Sequence, residues 1–499
     1  MSLAEVQGHR ALGARLLTRG LLVPARDEFA GWFALVEDTG DPALMIPPLN
    51  ALTAVAYTGR ELDAAMGHLQ RALALCSHPS ASAVDVLKVY MNLLNVATDL
   101  GRLDDAQAYA AQAQTLGPNR DPNLAKTYWL NLSKLHYRRQ EWVPMQRAAD
   151  KALKAGKAAG DLSAAAKAQM NRGIAHLELG ASRLAERDLR TALRFANELE
   201  ATFVAYAHAE LGRLHFGRND CDAALEAGRE ALNTLLNGVG AFDKEEVARV
   251  SRLFGAIFAQ SGQRNLALKY LNRAAAYFSQ LGLHADWQRA TELIRQVLAE
   301  PMRPTRSHLL KEVHQLDFLT AVLDQIDDLE SVDPYLRGHS ERVAALAVVL
   351  GEDLGLPAEE LVTLSHAARL ADVGMIAVDA EVLSREGPLT AAERRRVDMH
   401  TTIGEEMVRP FGLHPWGLLA IRHHHERYDG QGRPDGLKGE AIPLPARIVA
   451  VVDVYDSLTS DRHFRRALRH VSAMEELRAM AGHKLDPMLV DRFLRLNQV

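Results

Sequence analysis

The stretches YTGRELDAA (57–65) and DLGRLDDA (99–106) share one pattern: an apolar helical run reaches a glycine, and a second helix shows an alanine five residues later. The same pattern stands in TRGLLVPA (18–25), ELGASRLAE (178–186) and QSGQRNLA (260–267), so Gly20, Gly59, Gly101, Gly180 and Gly262 pair with Ala25, Ala64, Ala106, Ala185 and Ala267. In three units a further alanine, at Ala113, Ala192 and Ala274, lies two helical turns on along the same face. Glycine allows the backbone conformation that ends one helix and turns into the next, and small alanines let the paired helices approach closely. Each unit therefore reads as a helical hairpin. FGRNDCDAA (216–224) fits with one extra residue, and YRRQEWVPM (137–145) takes the expected slot with a poor match. The pattern predicts an α-solenoid over residues 1–299, similar to tetratricopeptide repeats but with a longer period of about 40 residues. An irregular helical domain with an alanine-rich composition is the alternative. Stacked hairpins offer concave surfaces suited to a protein or peptide partner.

The bulk numbers agree with a multidomain globular chain: 499 residues, 48% hydrophobic, 24% charged, with a formal net charge of −5. Acidic and basic residues are interspersed, which argues against a nucleic-acid polymer or an anionic membrane as partner. The N-terminus lacks the apolar core of a signal peptide, and no apolar run is long enough to cross a bilayer. Cys76 and Cys221 form no CxxC pair. A reduced, cytoplasmic setting is the expectation.

Pro301 and Pro304 mark a boundary, after which Leu309, Val313, Leu316, Leu319, Leu323 and Ile326 step by three and four, close to a coiled-coil seam. Residues 300–329 are thus expected to form a linker and signalling helix. The stripe suits either a homodimer or packing on a flanking domain. From 330 to 499 the chain again reads as helical, giving an all-α fold overall. Through this background run polar residues that packing does not explain. They are densest in RHHHERYDGQGRPDGLKGEAIPLPARIVAVVDVYDSLTSDRHFRRAL (422–468).

That stretch, with GHSERV (338–343) and GHKLDPMLVDRFL (482–494), resembles the HD-GYP family, helical metal-dependent phosphodiesterases of the HD superfamily that hydrolyse cyclic di-GMP. The resemblance carries the family's metal-ligand roles to His339, Asp372, His400, His424, His425 and Asp453. It implies one intact metal site (Asp372, His400, His424 and His425) and one crippled site. In LADVGM (370–375) the family's histidine before the aspartate is Ala371, and its lysine three residues after is Met375. Gly-Tyr-Pro reads Gly432, Arg433, Pro434, and the carboxylate that serves a third metal is Tyr335. Imidazole and carboxylate donors suit a divalent transition metal, iron, manganese or zinc, with about one per chain expected. Arg462 and Arg465 match positions that contact the nucleotide's phosphates, and solvated helix charges are their bland reading. Without its partner metal, Asp453 also reads as an outer hydrogen-bond acceptor and His339 as a hydrogen-bonding residue. His366, His414 and His470 read as surface or packing residues.

Two-metal hydrolysis uses a bridging hydroxide, and loss of one site removes much of that bridge. The expectation is a signalling protein whose repeats bind a partner and control a degenerate domain. That domain binds a metal and cyclic di-GMP with weak or no hydrolysis; if it is active, Asp372 is catalytic. An active phosphodiesterase with an altered metal centre is the alternative, and a dimerisation and docking module is the third reading.

Overall fold

The computed structural model describes residues 3–37, 39–195, 199–237, 243–299, 326, 330, 338–379, 382, 387, 390–411, 413–461 and 466–497. The linker seam lies outside these residues except for Ile326, as do Pro301, Pro304, Tyr335, Arg462 and Arg465. The chain divides into two compact units, residues 1–10, 29–235 and 243–307 in one, and 11–28, 236–242 and 308–499 in the other. Among the described residues there is no strand. The fold is all-α, as the periodicity predicts.

Helices α1 (Leu3–Thr18) and α2 (Leu22–Glu37) are followed in the first unit by hairpins: α3 (Pro42–Thr58) with α4 (Leu62–Leu75), α5 (Ala83–Asp99) with α6 (Leu103–Thr115), and α7 (Pro122–Arg138) with α8 (Trp142–Ala158). The series continues with α9 (Leu162–Glu178) and α10 (Ser182–Leu193), α11 (Ala201–Gly217) and α12 (Cys221–Asn237), α13 (Lys244–Gln260) and α14 (Arg264–Gln280), then α15 (His284–Ala299). These are tetratricopeptide-like repeats with lengthened helices.

Each hairpin turn passes through one left-handed residue: Gly20, Arg60, Gly101, Gln140, Gly180, Asn219 and Gly262, with φ between 57° and 76°. Five residues on, Ala25, Ala65, Ala106, Met145, Ala185, Ala224 and Ala267 are all at most 1% exposed. This corrects the sequence register at two turns. Gly59 has φ −77° and Ala64 is exposed, so the turn residue is Arg60 and the packed alanine is Ala65. Likewise Asn219, not Gly217, makes the turn before α12. A non-glycine residue in this conformation costs about 1 kcal/mol. The packing of its neighbours sustains it, and the glycine signal is then absent from the sequence.

Asp41, Asp121, Asp161 and Asp243 cap α3, α7, α9 and α13 by accepting hydrogen bonds from first-turn amides, each worth about 1 kcal/mol. The inner helices approach their partners closely: a Cβ added at Gly255 would lie 2.5 Å from the Leu271 side chain. Asp188, fully buried, is held by Gln169 at 2.6 Å and by both ends of the Arg172 guanidinium at 2.8 and 2.9 Å, so its charge is compensated. The superhelix also brings distant repeats together. Arg60 pairs with Asp243 at 2.9 Å and Arg138 with Glu245 at 2.7 Å.

The second unit is built on α16 (His339–Asp353), α17 (Ala358–Arg369), α18 (Ala391–Asp398), α19 (His400–Val408), α20 (Pro415–His423), α21 (Leu444–Thr459), α22 (His470–Met480) and α23 (Pro487–Asn497). Ala446, Ile448, Val449, Val451 and Val452 are fully buried, so α21 is apolar nearly all round and runs through the centre of the domain. It packs on α16, α20 and α22. No helix among the described residues is long and apolar enough to cross a membrane.

Candidate metal centre

Asp372 follows α17 and heads a short 3₁₀ turn, Val373–Ala377. The next residue but one explains how that turn reaches α19: a Cβ on Gly374 would stand 2.0 Å from the His400 carbonyl oxygen and 2.7 Å from the Gly404 nitrogen. Only glycine permits this approach. His400 opens α19, and His424 and His425 follow the last turn of α20.

The ligand atoms of Asp372, His400, His424 and His425 all lie within 4.8 Å of one another. His400 Nε2 is 3.4 Å from Asp372 Oδ1 and 3.4 Å from His424 Nε2. His400 Nδ1 donates to the Val397 carbonyl at 2.5 Å and His424 Nδ1 to that of Ile421 at 2.8 Å. With those protons committed, the Nε2 lone pairs of both rings converge beside a carboxylate. A divalent cation answers such a donor set, and the carbonyl partners are the outer hydrogen bonds that orient metal-bound histidines. His400 and His424 are buried, whereas Asp372 is half-buried and His425 exposed, which leaves an open side for a ligand.

Electrostatics separates the groups. Burial and the neighbouring imidazole lower His400, although Asp372 opposes them. Burial also works against charge on His424, but the Asp372 carboxylate beside it raises that ring. Against burial, the His339 and His424 rings hold Asp372 well below the usual carboxylate range.

His339, 6% exposed, stands on the other side of Asp372. Its Nε2 is 3.5 Å from Asp372 and 3.4 Å from Asp453, while Nδ1 bonds Asp456 at 2.8 Å. Burial opposes its charge, yet Asp372, Asp456 and Asp453 push His339 up to about 10. Asp453 itself is raised by burial and by the nearby carboxylates. Ala371 is buried and Met375 half-buried, and neither offers a donor. His339 thus lies beside both Asp372 and Asp453, and Asp372 links it to the four-residue cluster.

Sequence reasoning missed the supports. Asp456 lies three residues after Asp453 on α21, a spacing that puts both on one face, and it also binds Arg342 at 2.6 Å. Glu330 accepts from the Gly338 and Ser340 amides at 2.7 Å each and so caps the helix that carries His339. Lys484 bears electrostatically on His425. Arg433, where Gly-Tyr-Pro has tyrosine, pairs with Asp398 just before α19. A second group, His423, Glu426 and Asp435, is a clamp on the glycine-rich loop: Glu426 accepts from the Asp435 and Leu437 amides at 2.7 and 3.1 Å, and the Arg422 guanidinium grips Asp435 at 2.9 and 3.0 Å. His414 caps α20 through Trp416 N, and His470 bonds the Tyr455 hydroxyl at 2.8 Å, both packing roles.

Residues 325–489 match the HD domain family. Over 158 residues the chain is 44% identical to the cyclic di-GMP phosphodiesterase response regulator RpfG of Xanthomonas campestris pv. campestris, covering 31% of this chain and 42% of that protein. It is 33% identical over 193 residues to 3'3'-cGAMP-specific phosphodiesterase 3 of Vibrio cholerae, covering 38% and 41%. It is also 33% identical over 185 residues to the cyclic di-GMP phosphodiesterase of Thermotoga maritima, covering 36% and 50%. The matched segment spans at most half the length of these relatives. The C-terminal segment thus matches the HD domain family and is similar to cyclic dinucleotide phosphodiesterases.

Proposed function

We propose that the C-terminal domain is a degenerate HD-GYP module that holds one divalent transition metal and binds cyclic di-GMP, or a related phosphate ligand, with little or no turnover. The repeat array binds a protein or peptide partner and regulates it. The observation that carries this reading is the convergence of Asp372, His400, His424 and His425 beside a position where Ala371 contributes only a methyl group. These four residues would hold the metal, which supplies Lewis acidity toward a phosphoryl oxygen. The Val397 and Ile421 carbonyls orient His400 and His424, and the exposed face at His425 admits the ligand. Met375 cannot neutralise a phosphate as a lysine would. Arg462 and Arg465, outside the described residues, are proposed to contact phosphates.

A second reading, an active phosphodiesterase with an altered centre, draws on His339 Nε2 at 3.5 and 3.4 Å from Asp372 and Asp453, three donors that could take a second cation. Metal analysis of anaerobically purified protein, paired with a cyclic di-GMP hydrolysis assay on the same sample, separates the two. About one metal per chain without hydrolysis supports the degenerate reading; two metals with turnover overturn it. The double variant Ala371→His, Met375→Lys is expected to gain hydrolysis if the remaining scaffold is intact.

A further inference from the structure

The turn GHKLDP (482–487) is pinned from two sides. Gly482 takes a left-handed φ of 81° after α22, and the Lys484 and Leu485 amides donate back to the Met480 carbonyl at 3.0 and 3.1 Å. Asp486 then caps α23 through the Met488 amide at 2.8 Å and pairs with Arg447 on α21 at 2.5 Å. The carbonyls of the turn meet the chain that follows the paired histidines: Asp429 N donates to His483 O at 2.8 Å and Tyr428 N to Lys484 O at 3.2 Å. Two backbone hydrogen bonds thus fix Lys484 against the short segment that begins with His424 and His425.

The Lys484 side chain is exposed, and its ammonium has no ion-pair or hydrogen-bond partner among the described residues. Other cations of this domain are committed: Arg342, Arg427 and Arg433 are each held by an aspartate, Asp456, Asp429 and Asp398. The Lys484 charge nevertheless reaches the metal cluster. The dense surroundings of His425 hold that ring well below the usual imidazole range, the His424 and His400 rings add to this, and the Lys484 ammonium adds again, while Asp372 opposes them. A phosphodiester that gives one oxygen to a cation at Asp372, His400, His424 and His425 keeps a second anionic oxygen, and Met375 offers it no charge. Lysine suits that oxygen, because its ammonium is a compact point charge with three donors on a flexible stem. No carboxylate has to release it first.

We propose that Lys484 binds the phosphate of a ligand held at the metal centre, its ammonium closing the open side at His425 and pairing with the nonbridging oxygen that the metal does not take. The proposal rests on the metal-and-phosphate reading of the domain and adds to it the residue that supplies a second positive charge. That residue comes from the turn between α22 and α23, far in sequence from Asp372 and its neighbours.

The test uses the full chain carrying its metal and titrates cyclic di-GMP into wild type, Lys484→Met and Lys484→Arg by calorimetry. Metal per chain and melting temperature are measured on the same samples. Lys484→Met removes a hydrogen bond from an ionised donor and is expected to weaken binding about 10–100-fold. Lys484→Arg keeps the charge and is expected to recover most of the affinity. Metal content and melting temperature should stay at wild-type values in both variants, because the exposed side chain supports neither. Equal affinity in wild type and Lys484→Met overturns the proposal and leaves the metal-and-phosphate reading standing. Affinity lost to the same extent in both variants, or lost together with the metal, makes Lys484 a structural residue and also overturns it. No binding of cyclic di-GMP by metal-loaded wild type overturns the reading and the proposal together.

Discussion

Gly374→Ala tests whether close packing of backbone, rather than ligand identity alone, builds the metal centre. The added Cβ would stand 2.0 Å from the His400 carbonyl oxygen, whereas carbon and oxygen in contact need about 3.3 Å. The turn that carries Asp372 and the first turn of α19 must therefore separate by roughly 1.3 Å. Both obstacles are backbone atoms, so no side-chain rotation relieves the clash. Metal–ligand distances tolerate about 0.2 Å, so Asp372 and His400 cannot both keep the cation, and affinity is expected to fall at least 10–100-fold, the loss seen when a mere supporting group is removed. Overpacking should add about 1–3 kcal/mol of destabilisation. The assay is metal per chain by elemental analysis, with metal titrations followed by thermal melting and circular dichroism to establish that the helices persist. A variant with wild-type stoichiometry, affinity and melting temperature would refute the reasoning, because the Gly374 contact would then not position the ligands.

Stripping the metal with a chelator should lower the melting temperature of the C-terminal domain, since a ligand at a hundred times its Kd stabilises by about 2.7 kcal/mol; an unchanged melt argues against a bound cation. Glu245→Gln probes the array. Burial opposes the Glu245 charge, but Arg249 and Arg138 bring this carboxyl down from 4.5 to about 2. Its folded value lies below its unfolded one, so the stabilisation, of order 3 kcal/mol, is present above pH 4.5 and lost as pH falls toward 2. Denaturant melts across that range should show a flatter pH dependence for the variant, and parallel curves would count against the ion-pair assignment. Asp188→Ala leaves the Arg172 guanidinium without its main partner and should cost about 3–5 kcal/mol, read as a shift in urea midpoint.

Much of the fold was legible because it is local. The Gly–x₄–Ala spacing encodes a turn and the packed position beyond it, and it holds at Gly20, Gly101, Gly180 and Gly262. It misled by one residue at Gly59 because Arg60 takes the left-handed conformation, and only neighbouring contacts decide such an exchange. At the candidate metal centre, the resemblance to HD-GYP motifs named Asp372, His400, His424 and His425, which the structure brings within 4.8 Å of one another. Those motifs could not name Asp456 or Glu330, whose roles depend on which helix meets them.

The sequence by itself determined the helical hairpins, the all-α class and the chemical kinds gathered in the C-terminal domain, since turn conformation, periodicity and donor chemistry are properties of short segments. Only the tertiary structure decided that His339 stands between Asp456 and the Asp372–Asp453 pair, that Gly374 brings Asp372 against α19, and that Arg60 and Arg138 reach Asp243 and Glu245 across more than one hundred residues. These are long-range juxtapositions. They arise from the packing of helices whose individual sequences carry no record of their partners.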